Sequence, residues 1–267
     1  MTAGDAAKFL AGSPERRRLL TSLSADPPTP ADLAETLDVS RRSVQRHLKD
    51  LVDREWATKT DGRYELTTTG ELVAEEHTTY LGALDRIDAF SPFFRYLPDR
   101  DRTPELRWLQ DATLRSATEQ HPQAPVEFYI ERVRAFDGDR VRMIAPVLSR
   151  LFHRAHADLA FDGVHTELVL SASTIAEAHE LNPTEFDIVT SVDVLTVYEY
   201  PDDIGFGLTL GDDRLLMGAY DGEGQLKACI ESTDPDYYQW AERLFERYVD
   251  QSTTIDSPFS VPFPRRR

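Results

Sequence analysis

The chain has 267 residues, 40% of them hydrophobic, and a formal net charge of −17. That length suits two domains, each with enough apolar content for a core. Residues 1–70 balance 11 basic against 11 acidic groups, so the whole negative surplus lies in residues 71–267; a surface of that charge cannot serve as the duplex-binding one, because phosphate contacts supply most non-specific affinity.

Ser13-Pro14 starts a helix, with serine as the cap and proline in the first turn, and the helix stops before Pro27-Pro28. Thr29-Pro30 repeats the signal and opens "ADLAETL", with Leu33 and Leu37 on one side. After the short turn "DVS", Ser40 caps a third helix. There Val44, Leu48, Leu51 and Val52 follow the i, i+4, i+7, i+8 spacing of a buried stripe. Arg42, Gln45, Arg46 and Lys49 form a second series turned away from it. Then "WATKT-DG-RYELT" is two short strands joined by Asp61-Gly62, a strong two-residue hairpin signal. Helix, helix, tight turn, helix and hairpin make a winged helix-turn-helix, with the third helix as reader and the hairpin as wing.

The stretch "TPADLAETLDVSRRSVQRHLKDLVDREWATKTDGRYELTTTGELVAE" resembles archaeal winged-helix regulators. The resemblance implies that Ser40, Arg41, Arg42, Ser43, Gln45, Arg46 and Lys49 face the major groove of double-stranded DNA, and that Lys59 and Arg63 on the wing reach phosphate or the minor groove. Arginine suits guanine edges and glutamine suits adenine, without fixing which base each reads. The other reading of the same fold is an interaction module that docks on transcription machinery without reading DNA.

Thr68 or Thr69 is expected to cap a helix from Gly70 to about Phe90. Its Val73, His77, Tyr80, Leu84 and Ile87 form a two-heptad seam able to pair two protomers, with His77 as a polar spacer. "SPFFRYLPDRDRTP" is expected to be a boundary loop. Beyond it, strand signals ("DATLRSA", "RVRMIAP", "VHTELVLS", "VLTVYEY") alternate with helix signals ("VEFYIERVRAF", "VLSRLFHRAHADLAF", "STIAEAHEL", "PTEFDIVTS"). Three hairpin-like strands and a last helix opened by Asp234-Pro235 follow. Alternation followed by hairpins implies an α/β domain with a mixed sheet. The expected organisation is a winged-helix domain over 1–69, a linker or dimerisation helix over 70–91, an α/β domain over 105–252, and a disordered tail over 253–267.

The whole arrangement, down to "ACIESTDPDYYQWAERLFERY", is similar to a haloarchaeal family of two-domain regulators. In that family a winged helix precedes a domain related to the sensor region of methanogenesis-regulatory (filament-type) transcription factors. The resemblance implies a cytoplasmic transcription factor whose second domain dimerises or senses a small-molecule effector. Only four lysines stand beside 26 arginines, and with the acidity this fits adaptation to high salt.

Sugar-responsive archaeal regulators share the layout and carry a domain related to the phospholipase D fold, whose chemistry needs His-x-Lys-x4-Asp. The only His-x-Lys is His47-Leu48-Lys49, with Arg54 where the aspartate belongs, on the reading helix. No Gly-x-Ser-x-Gly, Walker or dinucleotide-binding fingerprint appears, so no enzyme is expected. His153-x-x-His156 lacks partners for a recognisable metal set, and no cofactor is expected. The single cysteine, Cys229, excludes an internal disulfide and suits a core position. No signal peptide and no membrane-length apolar run is present, so a cytoplasmic location without membrane contact is expected. A ligand of the α/β domain would sit beyond the carboxyl ends of its parallel strands, near Ala145-Pro146, Ser149, Ser171, Ser173 and Tyr198, with Ser173 capping a helix.

Overall fold

The computed structural model describes residues 2–23, 27–181 and 193–255, with only the backbone at positions 150, 151, 153 and 154. The chain divides into two compact units, Met1–Leu84 and Asp85–Arg267. The helix expected for "PTEFDIVTS" and the "RRR" tail lie outside the described residues.

Unit 1 opens with a helix that the sequence reading passed over, α1 (Ala3–Ala11). Its signal is a capping box: Thr2 Oγ1 accepts from Asp5 N, and the Asp5 carboxylate accepts from Thr2 N. Then come α2 (Pro14–Ser22), α3 (Pro30–Leu37) and α4 (Arg41–Val52), capped by Ser13, Thr29 and Ser40 as their local chemistry requires. The hairpin is β1 (Ala57–Thr60) and β2 (Arg63–Leu66), with Thr60 opposite Arg63. Asp61 (φ 51°) and Gly62 (φ 80°) both have positive φ, as a two-residue turn between twisted strands demands. Leu19, Leu20, Leu33, Val44, Leu48, Leu51 and Trp56 make the core.

Helix α5 (Thr68–Ala89) begins two residues before the expected start. Its cap is Thr67, whose hydroxyl accepts from Gly70 N at 3.1 Å and donates to Glu55 O. The heptad seam divides along its length. Val73 packs on the unit's own core and His77 is half-buried, whereas Tyr80, Leu84 and Ile87 are exposed.

Burial first, then the Arg17 charge, lowers the pKa of His77, and its Nε2 is buried without a hydrogen-bond partner. Because the unfolded chain binds this proton more readily, the neutral ring favours the folded unit above about pH 6.5, and that advantage is lost as pH falls below it. Denaturant titrations between pH 7.5 and 5.5 should show unit 1 weakening towards acid, and His77→Phe should flatten the trend.

Unit 2 is a three-layer α/β domain. Its strands are β3 (Thr113–Ser116), β4 (Arg140–Ala145), β5 (His165–Ser171), β6 (Leu195–Tyr200), β7 (Phe206–Leu210), β8 (Leu215–Tyr220), β9 (Leu226–Ser232) and β10 (Thr253–Thr254). They form one sheet in the order β10-β6-β5-β4-β7-β8-β9-β3. β4, β5 and β6 run parallel, and the other pairings are antiparallel. This is the mixed sheet that the alternation of signals implies.

One face packs on the last helix, α10 (Pro235–Asp250), through Ile144, Val169, Phe206, Leu208, Met217 and Ile230. The other lies under α7 (Ala124–Arg134) and α8 (Arg150–Phe161), through Val133, Met143, Leu159, Leu216 and Cys229. α9 (Ala172–Leu181) covers Leu170 and Val197.

Three local expectations change. The presumed boundary loop contains a helical turn, α6 (Ser91–Phe94), and Phe90 and Phe93 are in the core, where their large apolar area contributes to packing. Residues 253–255, assigned to the tail, join the sheet: β10 pairs with β6, and Ile255 N donates to Val197 O at 2.9 Å. Ser173 does not cap α9. The cap is Ser171, whose Oγ accepts from Thr174 N at 3.1 Å.

Candidate nucleic-acid interface

α4 is fixed by what it buries. Val44, Leu48 and Leu51 are fully enclosed, and His47 joins them, with its Nε2 3.4 Å from Glu15 Oε2 of α2. The histidine of the His-x-Lys pair is therefore a core residue of the winged helix. Burial of this stripe points Arg41, Arg42, Gln45, Arg46 and Lys49 outward, and all five are exposed. None of them makes a side-chain hydrogen bond or ion pair with a described residue. Other arginines are paired, among them Arg132 with Glu231, Arg140 with Glu167 and Arg142 with Glu242. In so acidic a protein, four exposed cations clustered on one helix face give a local positive surface able to meet an anion.

Ser40 and Ser43 serve the helix itself: Ser40 Oγ accepts from Ser43 N at 3.2 Å, which fixes the first turn. On the wing, Lys59 is exposed with Nζ 5.5 Å from the Tyr64 ring. Arg63 is exposed but held back, donating from Nη1 to Pro27 O at 2.7 Å, while Tyr64 N donates to Pro28 O at 3.1 Å. These bonds tie the wing to the segment before α3.

Sequence reasoning missed the support behind the reader. The guanidiniums of Arg16 and Arg54 each lie 3.7 Å from the centre of the Phe9 ring, which meets Trp56 edge-on at 5.7 Å. Phe9 thus locks α1 to both ends of the helix-turn-helix, and the Thr2–Asp5 capping box was the legible clue.

The four residues proposed for a ligand do not converge. Ser149 lines a cavity under α8. Ser171 and Ser173 belong to a closed hydroxyl network: Ser171 Oγ is 2.9 Å from Ser173 Oγ and 2.7 Å from Thr174 Oγ1, Ser173 donates to Asp203 Oδ1, and Thr174 donates to Pro146 O. Tyr198 lies on the α10 face of the sheet and donates to Glu167 Oε1 at 3.2 Å. Its phenol titrates above the ordinary value through burial and the neighbouring carboxylate. Of the histidine pair, the side chain of His153 lies outside the described residues, and His156 Nε2 is 3.1 Å from the Tyr129 hydroxyl. Among the described residues no group of three or more His, Cys, Asp or Glu side chains could hold a metal ion, and no helix is long and apolar enough to cross a membrane.

Residues 4–89 match the HVO_A0261 N-terminal domain, and residues 122–251 match the middle domain of the methanogenesis regulatory protein FilR1. The chain thus carries an HVO_A0261-type N-terminal domain followed by a FilR1-type middle domain. No curated protein matches the sequence. Among solved structures, TrmBL2, an archaeal chromatin protein, is 12% identical over 95% of this chain and 100% of its own, with a TM-score of 0.42. NucT from Helicobacter pylori is 10% identical over 54% of this chain and 99% of its own, at 0.46. MepR from S. aureus, in complex with DNA, is 18% identical over 35% of this chain and 83% of its own, at 0.28. The cationic helix thus lies in the HVO_A0261-type domain and the cavity in the FilR1-type domain.

Proposed function

We propose that the chain is a sequence-specific regulator of transcription that reads double-stranded DNA as a homodimer in the cytoplasm, and that its α/β domain senses a small-molecule effector. In this reading residues 1–69 bind DNA, 70–91 link and pair protomers, and 105–252 sense. The observation that carries it is the exposed cationic face of α4, without side-chain partners among the described residues, in a chain of net charge −17. The match to a methanogenesis regulatory protein supports the regulatory role.

The test is a titration of the full chain against bound genomic fragments and random duplexes at several salt concentrations. A specific site should bind at least 1,000-fold more tightly than random sequence, with log K falling linearly against log salt. Equal affinity for both would defeat sequence reading, and no binding by a folded chain would return the domain to docking on transcription machinery.

Dimerisation is proposed through the exposed half of the α5 seam. Leu84 is 43% exposed and Ile87 44%, large for aliphatic side chains on one stripe. Replacing both by lysine should bring the mass measured by light scattering from that of a dimer to that of a monomer. A double variant that remains dimeric would place the interface elsewhere.

A further inference from the structure

The proposed sensing role leaves its effector undefined, and the cavity under α7 and α8 supplies the missing chemistry, so this inference rests on that role. The cavity measures about 280 Å³. Its floor is unusual. Gly207 of β7 and Gly218 of β8 stand opposite each other, and the Tyr220 ring lies over both. A Cβ on Gly207 would come within 3.0 Å of Tyr220 Cε2 and 3.1 Å of its hydroxyl oxygen, and one on Gly218 within 2.9 Å of Cε2. The two absent side chains therefore make the room in which the tyrosine lies flat against the sheet. Phe152 and Leu168 contribute to the apolar walls.

The polar groups differ in how far they are committed. The Tyr129 hydroxyl is engaged on both sides, 2.9 Å from Thr209 Oγ1 and 3.1 Å from His156 Nε2. Tyr220 also lines the cavity, and its hydroxyl has no hydrogen-bond partner among the described residues. Burial, with smaller contributions from Tyr129 and Cys229, pushes its phenol well above the ordinary value, so it stays protonated and able to donate. No Asp, Glu, Lys or Arg occurs among the described lining residues.

Three ligand properties follow. A charged molecule would lose its hydration without gaining a counter-charge from any described lining residue, which a mostly apolar lining does not repay. A sugar would bring more hydroxyls than the lining can satisfy, each unmade bond costing affinity. The volume corresponds to about nine water-sized groups at roughly 30 Å³ each, the scale of one ring with a short substituent. We propose that this cavity is the effector site and takes an uncharged, mainly apolar, single-ring molecule hydrogen-bonded through the Tyr220 hydroxyl.

Ligand-observed NMR titrations of the full chain with phenol, toluene, benzoate and glucose test this directly. Phenol and toluene should bind, and benzoate and glucose should not. Tyr220→Phe should weaken phenol about 3- to 10-fold, the loss of one hydrogen bond, and leave toluene unchanged. Ala157→Leu, which fills the cavity, should abolish both; should that variant fail to fold, Tyr220→Phe decides alone. Absence of phenol and toluene binding, preference for benzoate or glucose, or an unchanged phenol affinity in Tyr220→Phe overturns the assignment. A second reading, DNA affinity with phenol at saturation, separates the two claims. Occupancy that leaves DNA affinity unmoved upholds the cavity as a ligand site and rejects the sensing role.

Discussion

Replacing Gly70 by alanine should destabilise unit 1 by about 3 kcal/mol or more, near the top of the range for overpacking. A Cβ built there would sit 1.8 Å from the carbonyl oxygen of Trp56 and 2.8 Å from its carbon. The obstacle is backbone, and it is held from both sides: Trp56 N donates to Leu51 O at 3.0 Å, and Trp56 O accepts from Thr67 N at 3.1 Å. Trp56 is itself 2% exposed. Relief would require α5 to lift off the wing or the wing to leave α4. Against a typical total of about 5–15 kcal/mol, that is a large fraction. Gly4→Ala is the control, since its added methyl meets nothing closer than Thr2 Oγ1 at 3.8 Å and alanine favours the helix. Chemical denaturation of both variants reads the outcome, and a Gly70→Ala unit within 1 kcal/mol of the parent would refute the clash.

Arg42→Ala and Arg46→Ala should each weaken specific DNA binding by about 1–3 kcal/mol, roughly 5- to 150-fold, and relax sequence preference at one position. Neither side chain supports the fold, for both are exposed and make no bond with a described residue, so stability should be unchanged. Lys49→Ala and Lys59→Ala should weaken specific and random duplexes alike and reduce the salt slope by about one contact. Arg63→Ala carries a further effect, because its guanidinium also holds Pro27 O. Titrations of all five variants against specific and random duplexes would decide the assignments. Unchanged affinity in both Arg42→Ala and Arg46→Ala would remove α4 from the groove.

What the sequence made legible was local. The caps Ser13, Thr29, Ser40 and Asp234 announce their helices because one side chain and one adjacent turn contain the whole interaction. The Asp61-Gly62 turn is legible for the same reason. The outward face of α4 follows from the spacing of its buried residues. The candidate ligand residues lie apart for a nonlocal reason. Strand ends were chosen without assigning faces, yet alternation along β6 puts Val197 towards α9 and Tyr198 towards α10, away from the cavity. Ser171 and Ser173 fell to cap chemistry, as serines after strands often do. The cavity itself draws Tyr129, His156, Gly207, Gly218 and Tyr220 from four separate elements, and no spacing in one sequence reveals that they meet.

The placement of β3 has a consequence for synthesis. It waits at residues 113–116 for β9 at 226–232, its one neighbour in the sheet. At a ribosomal pace of roughly 5–20 residues/s, that wait is about 5–25 s. β7 and β8, made only at the end of that wait and buried along almost their whole length in the finished domain, then need α10, the last helix, for cover. The winged helix needs no such delay, because its hairpin and the first turns of α5 follow its reading helix within about thirty residues. A ribosome stalled before β9 would therefore carry a folded DNA-facing unit tethered to an unfinished partner. Under the proposed function, such a fragment, if released, would bind DNA without answering to any effector, so swift degradation of truncated chains would be part of the control.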